Sequence, residues 1–200
     1  MDLSSFVTAI QARLVPIVLL TVVAAALAFV ASTQLTPSYE AETRLFVGSL
    51  TNANYDQGLA YQQLAQTYGQ LATTTPVLQK VIAALYLNDD PENLQRRIDV
   101  RTPTGQSFLR ITASASSPDA AAALANAVAD QVTALGKPSG FGTAGLVSVV
   151  QPALPPHSPA SPRPLLNAVI AGAIGLVIGL SFAVFTAKRA PRTVTWRTGP

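Results

Sequence analysis

LVPIVLLTVVAAALAFVA at residues 14–31 is an uncharged apolar run, and a second run, LLNAVIAGAIGLVIGLSFAVFTA, follows at residues 165–187 of the 200-residue chain. A single arginine at the centre of a membrane helix would add roughly 2.5–3.5 kcal/mol to the free energy of insertion. As a helix, the second run is long enough for a hydrocarbon core of about 30 Å. The first run is shorter and spans if it includes Ser32 and Thr33 or thins the bilayer locally. The sequence therefore predicts two transmembrane helices that flank one domain.

The positive charge of the chain is concentrated after the second run. Residues 32–164 carry 8 Lys/Arg and 9 Asp/Glu and are close to neutral. The tail at residues 188–200 has no acidic residue, and its basic residues are Lys188, Arg189, Arg192 and Arg197. Such a cluster marks the cytoplasmic side and outweighs the lone Arg13. We expect a cytoplasmic lead at 1–13, a cytoplasmic tail and an extracytoplasmic domain at 34–151. Juxtamembrane charge of this kind indicates lipid headgroups, not nucleic acid, as the partner.

A cleaved signal peptide is an alternative interpretation of the first run. The small residues in Ala26-Leu27-Ala28 resemble a cleavage site, although the lead lacks the usual basic region. Cleavage would leave the outer domain anchored by the second run alone.

The segment between the runs shows both strand and helix periodicity. Alternating apolar residues predict strands over 39–48, 98–102, 109–114 and 146–151, and the middle two form a hairpin. Apolar stripes predict helices over 61–72, 75–85 and 117–135, together with a short helix from Pro91 to about Arg97. Residues 52–58 are rich in turn formers. The pattern predicts an α+β domain, with a small sheet packed against helices.

Prolines and small residues mark the approach to the second run and the run itself. Six prolines predict an extended, semi-rigid strut over residues 152–164: Pro152, Pro155, Pro156, Pro159, Pro162 and Pro164. Small residues in the second run would let another helix approach closely: Ala171, Gly172, Gly175, Gly179 and Ala183. The first run offers Thr21, Ala24, Ala25 and Ala28 as a partner face. Glycine and alanine are also common in membrane helices generally, which is the alternative explanation.

No pattern in the sequence predicts a catalytic, metal or cofactor site. Cysteine is absent, and the only histidine, His157, lies in the strut. Asp89, Asp90 and Glu92 are more typical of a helix start than of paired acids. The glycine-rich residues 136–145 lack the order of a phosphate-binding loop. Four arginines near the hairpin would contact an anionic glycan or a neighbouring protomer, or form a solvated face paired with Asp99: Arg96, Arg97, Arg101 and Arg110.

The order of segments resembles one known family. Between the two runs lie PSYEAETRLFVGS at 37–49, LAQTYGQLATTTPVLQKVIAALYL at 64–87 and FLRITASASSPDAAAALANAVADQVTAL at 108–135, followed by the strut. This set is similar to the polysaccharide co-polymerase, or Wzz chain-length-determinant, family over roughly Ser4 to Lys188. The resemblance implies a homo-oligomeric protein of the inner or plasma membrane that acts beside a polymerase in capsule, exopolysaccharide or lipopolysaccharide assembly, without enzymatic activity.

The short outer segment favours one branch of that family. About 130 residues leave no room for long helical arms, which points to the branch that modulates a cytoplasmic tyrosine kinase. By the same resemblance, the basic tail is a possible contact for the kinase. All five tyrosines precede the strut, so we expect the chain not to be the substrate of that kinase. An outer sensor or binding module unrelated to glycan is the alternative, and an envelope enzyme is a third and weaker hypothesis.

Overall fold

The chain divides into two compact units, one that contains both apolar runs and one that spans residues 37–161. This computed structural model describes residues 14–48, 55–136 and 146–187. In the first unit, α1 spans Leu14–Thr33 and α6 spans Pro164–Ala187. In the second unit, the elements are β1 (Tyr39–Val47), α2 (Tyr55–Ala72), α3 (Thr75–Leu85), α4 (Pro91–Arg96), β2 (Ile98–Arg101), β3 (Phe108–Ala115), α5 (Pro118–Leu135) and β4 (Val147–Gln151).

The described strands of the second unit form one antiparallel sheet in the order β2-β3-β1-β4. Strand β3 lies between β1 and β2, so the connection through α2, α3 and α4 crosses over it, as in a split βαβ arrangement. The predicted α+β domain with a small sheet is confirmed. The sheet has one core face and one open face.

The core face of the sheet carries the alternating apolar positions. Ala41, Thr43, Leu45 and Val47 of β1 are buried, as their spacing in the sequence predicts. Helices α2 and α5 pack against β1 and β3, and α3 packs against α5. Strand β3 and helix α5 contribute most of the remaining buried side chains: Leu109, Ile111, Ala113, Ala115, Ala121, Leu124, Ala125, Val128 and Val132.

The start of helix α2 differs from the sequence prediction. Helix α2 begins at Tyr55, within the stretch that the sequence assigns to a turn. In the first turn of α2, Gly58 costs about 1 kcal/mol of helix stability, and the good helix formers that follow outweigh that cost. At α3, Thr74 is the N-cap residue but its side chain does not cap the helix, because its hydroxyl donates to the carbonyl of Leu71 at 2.7 Å. Ser117 does cap α5 by accepting from the amide of Ala120 at 3.3 Å.

The proline-rich residues 152–161 follow the surface of the second unit and are tied to it at both ends. Ala153 is buried and hydrogen-bonded to Asn126 of α5. Ser161 forms an isolated antiparallel bridge with Ser38, whose amide donates to the Ser161 carbonyl at 2.8 Å. The chain therefore enters and leaves this unit at neighbouring points. The last proline of the predicted strut, Pro164, is the first residue of α6, where its missing amide needs no partner.

Candidate helix interface and arginine surface

Helices α1 and α6 pack against each other through glycines of α6. A β-carbon built on Gly175 would lie 3.1 Å from the Ala24 β-carbon and 3.2 Å from the Thr21 α-carbon. The corresponding position at Gly179 is 3.2 Å from the Ile17 side chain. Glycine is therefore required for this close approach, because any side chain there would force the helices apart.

The other small residues of α6 take different positions at this interface. At Gly172 a β-carbon would lie 3.5 Å from that of Ala25, in ordinary van der Waals contact. Ala183 is buried, whereas Ala171 is only half-buried. Near the other end of the pair, the Asn167 amide donates to the Ser32 hydroxyl at 2.8 Å, so these two polar side chains satisfy each other.

The outward faces of α1 and α6 are apolar and exposed. Both helices are long and apolar enough, by length and composition, to cross a membrane. Their exposed side chains include Val15, Leu19, Val22, Leu27, Val30, Leu165, Val169, Ile174, Val177 and Phe182. Water would leave this apolar surface unfavourably hydrated, whereas hydrocarbon tails solvate it well.

The four arginines that the sequence grouped together fall into two different places. Arg97 pairs with Asp89 at 3.0 Å, and its Nε donates to the Ser114 carbonyl at 3.0 Å, which holds α4 against the sheet. Arg96 is exposed and bonds to Asn93 within its own helix. These two arginines stabilise local structure.

Arg101 and Arg110 lie on the open face of the sheet together with a third arginine, Arg44. Arg110 is the register partner of both Arg44 on β1 and Arg101 on β2. Glu42 accepts from Arg44 at 2.6 Å and from Arg110 at 3.2 Å. Arg44 was not among the arginines predicted from the sequence, although its place on the polar side of the β1 alternation was a usable signal.

An aromatic pair borders the arginines on the same face. Phe46 and Phe108 are register partners two residues along β1 and β3 from Arg44 and Arg110. Their ring centroids are 5.3 Å apart, and the rings are tilted by 55°. Phe108 is 39% exposed. The open face therefore combines guanidinium groups with accessible ring surface.

Several predicted residues stand apart from these features. The basic tail (Lys188, Arg189, Arg192 and Arg197) and most of the glycine-rich stretch lie outside the described residues. His157 lies on the proline-rich segment. Among the residues that the structure describes, His, Asp and Glu form no cluster of three that could hold a metal ion.

Known proteins similar to this chain come from polysaccharide assembly. Residues 1–85 match the family model for Wzz, the chain length determinant protein. The capsular polysaccharide biosynthesis protein CpsC of Streptococcus pneumoniae is 26% identical over 187 residues, covering 87% of this chain and 79% of that protein. The probable capsular polysaccharide biosynthesis protein YwqC of Bacillus subtilis (strain 168) is 29% identical over 158 residues, covering 74% of this chain and 62% of that protein. The chain thus spans less than two thirds of the Bacillus relative.

Proposed function

We propose that this chain, whose residues 1–85 match the family model of the Wzz chain length determinant protein, is a non-catalytic membrane adaptor in surface polysaccharide biosynthesis. It regulates the length or the export of a capsular polysaccharide or exopolysaccharide. The observation that carries this proposal is the family match, because it covers α1, β1, α2 and α3 in one continuous stretch.

In the proposed topology, α1 and α6 cross the cell membrane and both chain ends are cytoplasmic. The exposed apolar faces of the two helices support this arrangement. The four basic residues after α6 support the cytoplasmic side for the C-terminal end. The α+β unit at residues 37–161 then lies outside the membrane. There it meets the growing glycan, while the tails meet cytoplasmic partners.

The proposed mechanism is oligomerisation combined with signalling to a partner. Copies of the chain associate in the membrane, and the state of the outer unit is passed to a membrane polymerase or to a cytoplasmic tyrosine kinase. The names of CpsC, a capsular polysaccharide biosynthesis protein, and YwqC, a probable one, support the pathway. The basic tail supports a contact with anionic headgroups or with the kinase.

The test is deletion of the coding sequence in its native host, followed by sizing of the surface polysaccharide by gel filtration with light scattering. We expect a changed length distribution or amount, and plasmid-borne full chain should restore it. The phosphotyrosine content of the host's cytoplasmic tyrosine kinase, measured in the same strains, distinguishes a kinase partner from a polymerase partner. A change in length without a change in phosphotyrosine assigns the role to the polymerase. Unchanged polysaccharide in the deletion strain would refute the proposed function.

A further inference from the structure

Three arginines on adjacent strands form a continuous row across the open sheet face. Arg44, Arg110 and Arg101 are aligned by the β1–β3 and β2–β3 registers. Residues directly opposite one another on antiparallel strands have β-carbons about 4.5–5.5 Å apart, and like charges in such positions repel. A row of this kind is unfavourable for the fold alone, so an external counterion would relieve it.

The carboxylates next to the row leave part of its charge unbalanced. Glu42 is shared by Arg44 and Arg110, and Asp99 pairs with Arg101 at 2.6 Å. In the ion pairs that the structure describes on this face, three guanidinium groups share two carboxylates. The arginine side chains are 44–75% exposed, and exposed ion pairs of this type contribute little stability. An incoming carboxylate or phosphate can be bound in bidentate fashion without disrupting the fold.

The neighbouring surface is suited to sugar rings. Phe108 is two residues along β3 from Arg110 and is 39% exposed, and its ring packs against that of Phe46. Aromatic rings bury the apolar side of a flat ligand while its polar groups stay hydrated. Beside Arg101 and Arg110, the exposed Thr104 lines a shallow groove, and its hydroxyl can both donate and accept.

We propose that this face binds an acidic segment of a glycan, with sugar rings against Phe108 and their carboxylates against Arg44, Arg110 and Arg101. The inference rests on the proposed function and adds to it the charge class of the glycan and its binding surface. A lipid headgroup is less suitable, because the Phe46–Phe108 pair beside the row offers aromatic surface for a sugar ring. The charge of the row favours acidic over neutral polymers.

The test measures binding of oligogalacturonate to the full chain in nanodiscs of zwitterionic lipid, with a maltooligosaccharide of equal length as the neutral probe. We expect binding of the acidic probe only, weakening as salt increases. R44Q/R110Q should lower its affinity by at least about tenfold, and F108A by a smaller factor. The matched control is R96Q, which removes an exposed arginine from outside the row and should leave the affinity unchanged.

The inference would be overturned if the acidic probe did not bind, or if the neutral probe bound equally well. It would also be overturned if R96Q and R44Q/R110Q lost the same affinity for the acidic probe. A fourth contrary outcome is that R44Q/R110Q changes the oligomeric state of the chain and not its glycan binding. The last outcome would identify the face as an interface between copies. Near-ultraviolet circular dichroism verifies that each variant is folded. If the deletion strain has altered polysaccharide while the acidic probe fails to bind, only this inference is refuted and the proposed function stands.

Discussion

Asn126 holds Ala153 by both backbone groups of that residue. The Asn126 Nδ2 donates to the Ala153 carbonyl at 3.0 Å, and the Ala153 amide donates to the Asn126 Oδ1 at 2.8 Å. One side-chain amide on α5 thereby replaces the strand partner that Ala153 lacks after the end of β4. Because Ala153 is buried, its two polar groups have no ready substitute in water.

We expect Asn126→Ala to destabilise the α+β unit by about 1–3 kcal/mol, because it leaves a buried amide and a buried carbonyl unpaired. Thermal unfolding of the full chain in mild detergent, followed by near-ultraviolet circular dichroism, would measure a transition several degrees lower. The control Asn93→Ala removes an exposed asparagine and should change the transition little. Equal transitions for the two variants would contradict this role of Asn126.

The sequence predicted the strand faces well but not the contacts made across long separations. Alternation in β1 is a local property, so its buried face could be assigned without a structure. Asn126 lies 27 residues from Ala153, and only the folded path of the chain after β4 brings them together. The prolines predicted an extended strut, but its attachment to α5 through Asn126 could not be predicted from local sequence.

The arginine surface illustrates the same limit. Spacing along the chain suggested that Arg96, Arg97, Arg101 and Arg110 form one group. Sheet register instead joins Arg101 and Arg110 to Arg44, and register depends on strand pairing that a single sequence does not specify. The α4 arginines lie near the hairpin in sequence, yet they bond to Asn93, Asp89 and Ser114.

Arg97 and Arg96 are adjacent and provide a matched pair of substitutions. Arg97→Gln should cost about 1 kcal/mol of unfolding free energy, because it removes the bond to the Ser114 carbonyl and the half-exposed ion pair with Asp89. Arg96→Gln should cost less than about 0.5 kcal/mol, as expected for an exposed surface position. Denaturant unfolding of the full chain measures both values. A larger loss for Arg96→Gln would show that Arg97 does not anchor α4.

Thr43 is fully buried, and its hydroxyl donates to the Gln151 carbonyl at 2.9 Å beside the β1–β4 register shift. Thr43→Val keeps the shape of the side chain but removes the donor, so we expect a loss of about 0.5–1.5 kcal/mol. The same substitution at Thr112, on the open face, serves as the control. We expect faster amide hydrogen exchange in β4 of the Thr43→Val variant but not of the Thr112→Val variant, because only the first loses the bond to Gln151. Equal exchange rates of the β4 amides in the two variants would contradict this role of the Thr43 hydroxyl.

The packing of α1 against α6 can be tested by disulfide formation, since the chain has no cysteine of its own. A β-carbon at Gly172 would lie 3.5 Å from the Ala25 β-carbon. Disulfides need a β-carbon separation of about 3.5–4.5 Å. Ala25→Cys/Gly172→Cys should therefore form an intramolecular disulfide under mild oxidation in membranes. The pair Ala25→Cys/Ala173→Cys should not, because Ala173 is exposed. Disulfide-linked products of dimer size would instead show that Ala25 and Gly172 meet between two copies of the chain.

Gly175 should be the position of α6 least tolerant of a large side chain, because a β-carbon there meets backbone atoms of Thr21 and Leu20 at 3.2 and 3.3 Å. We expect Gly175→Leu, added to the Ala25→Cys/Gly172→Cys chain, to reduce the disulfide yield sharply. Ala173→Leu in the same background should leave the yield unchanged. An undiminished yield with Gly175→Leu would show that the helices do not depend on this close approach.

The proposed topology predicts opposite labelling of cysteines placed in the α+β unit and in the tail. In intact cells, after removal of the outer membrane where one is present, an impermeant maleimide should label Ser116→Cys. It should label Thr198→Cys only after permeabilisation, because basic residues retain the tail in the cytoplasm. Changing Lys188, Arg189, Arg192 and Arg197 together to Gln should increase Thr198→Cys labelling in intact cells, whereas Arg13→Gln should not. Strong labelling of Thr198→Cys in intact cells, in the otherwise unchanged chain, would place the tail outside the cell. The tail could not then reach a cytoplasmic kinase, and the signalling part of the proposed function would be wrong.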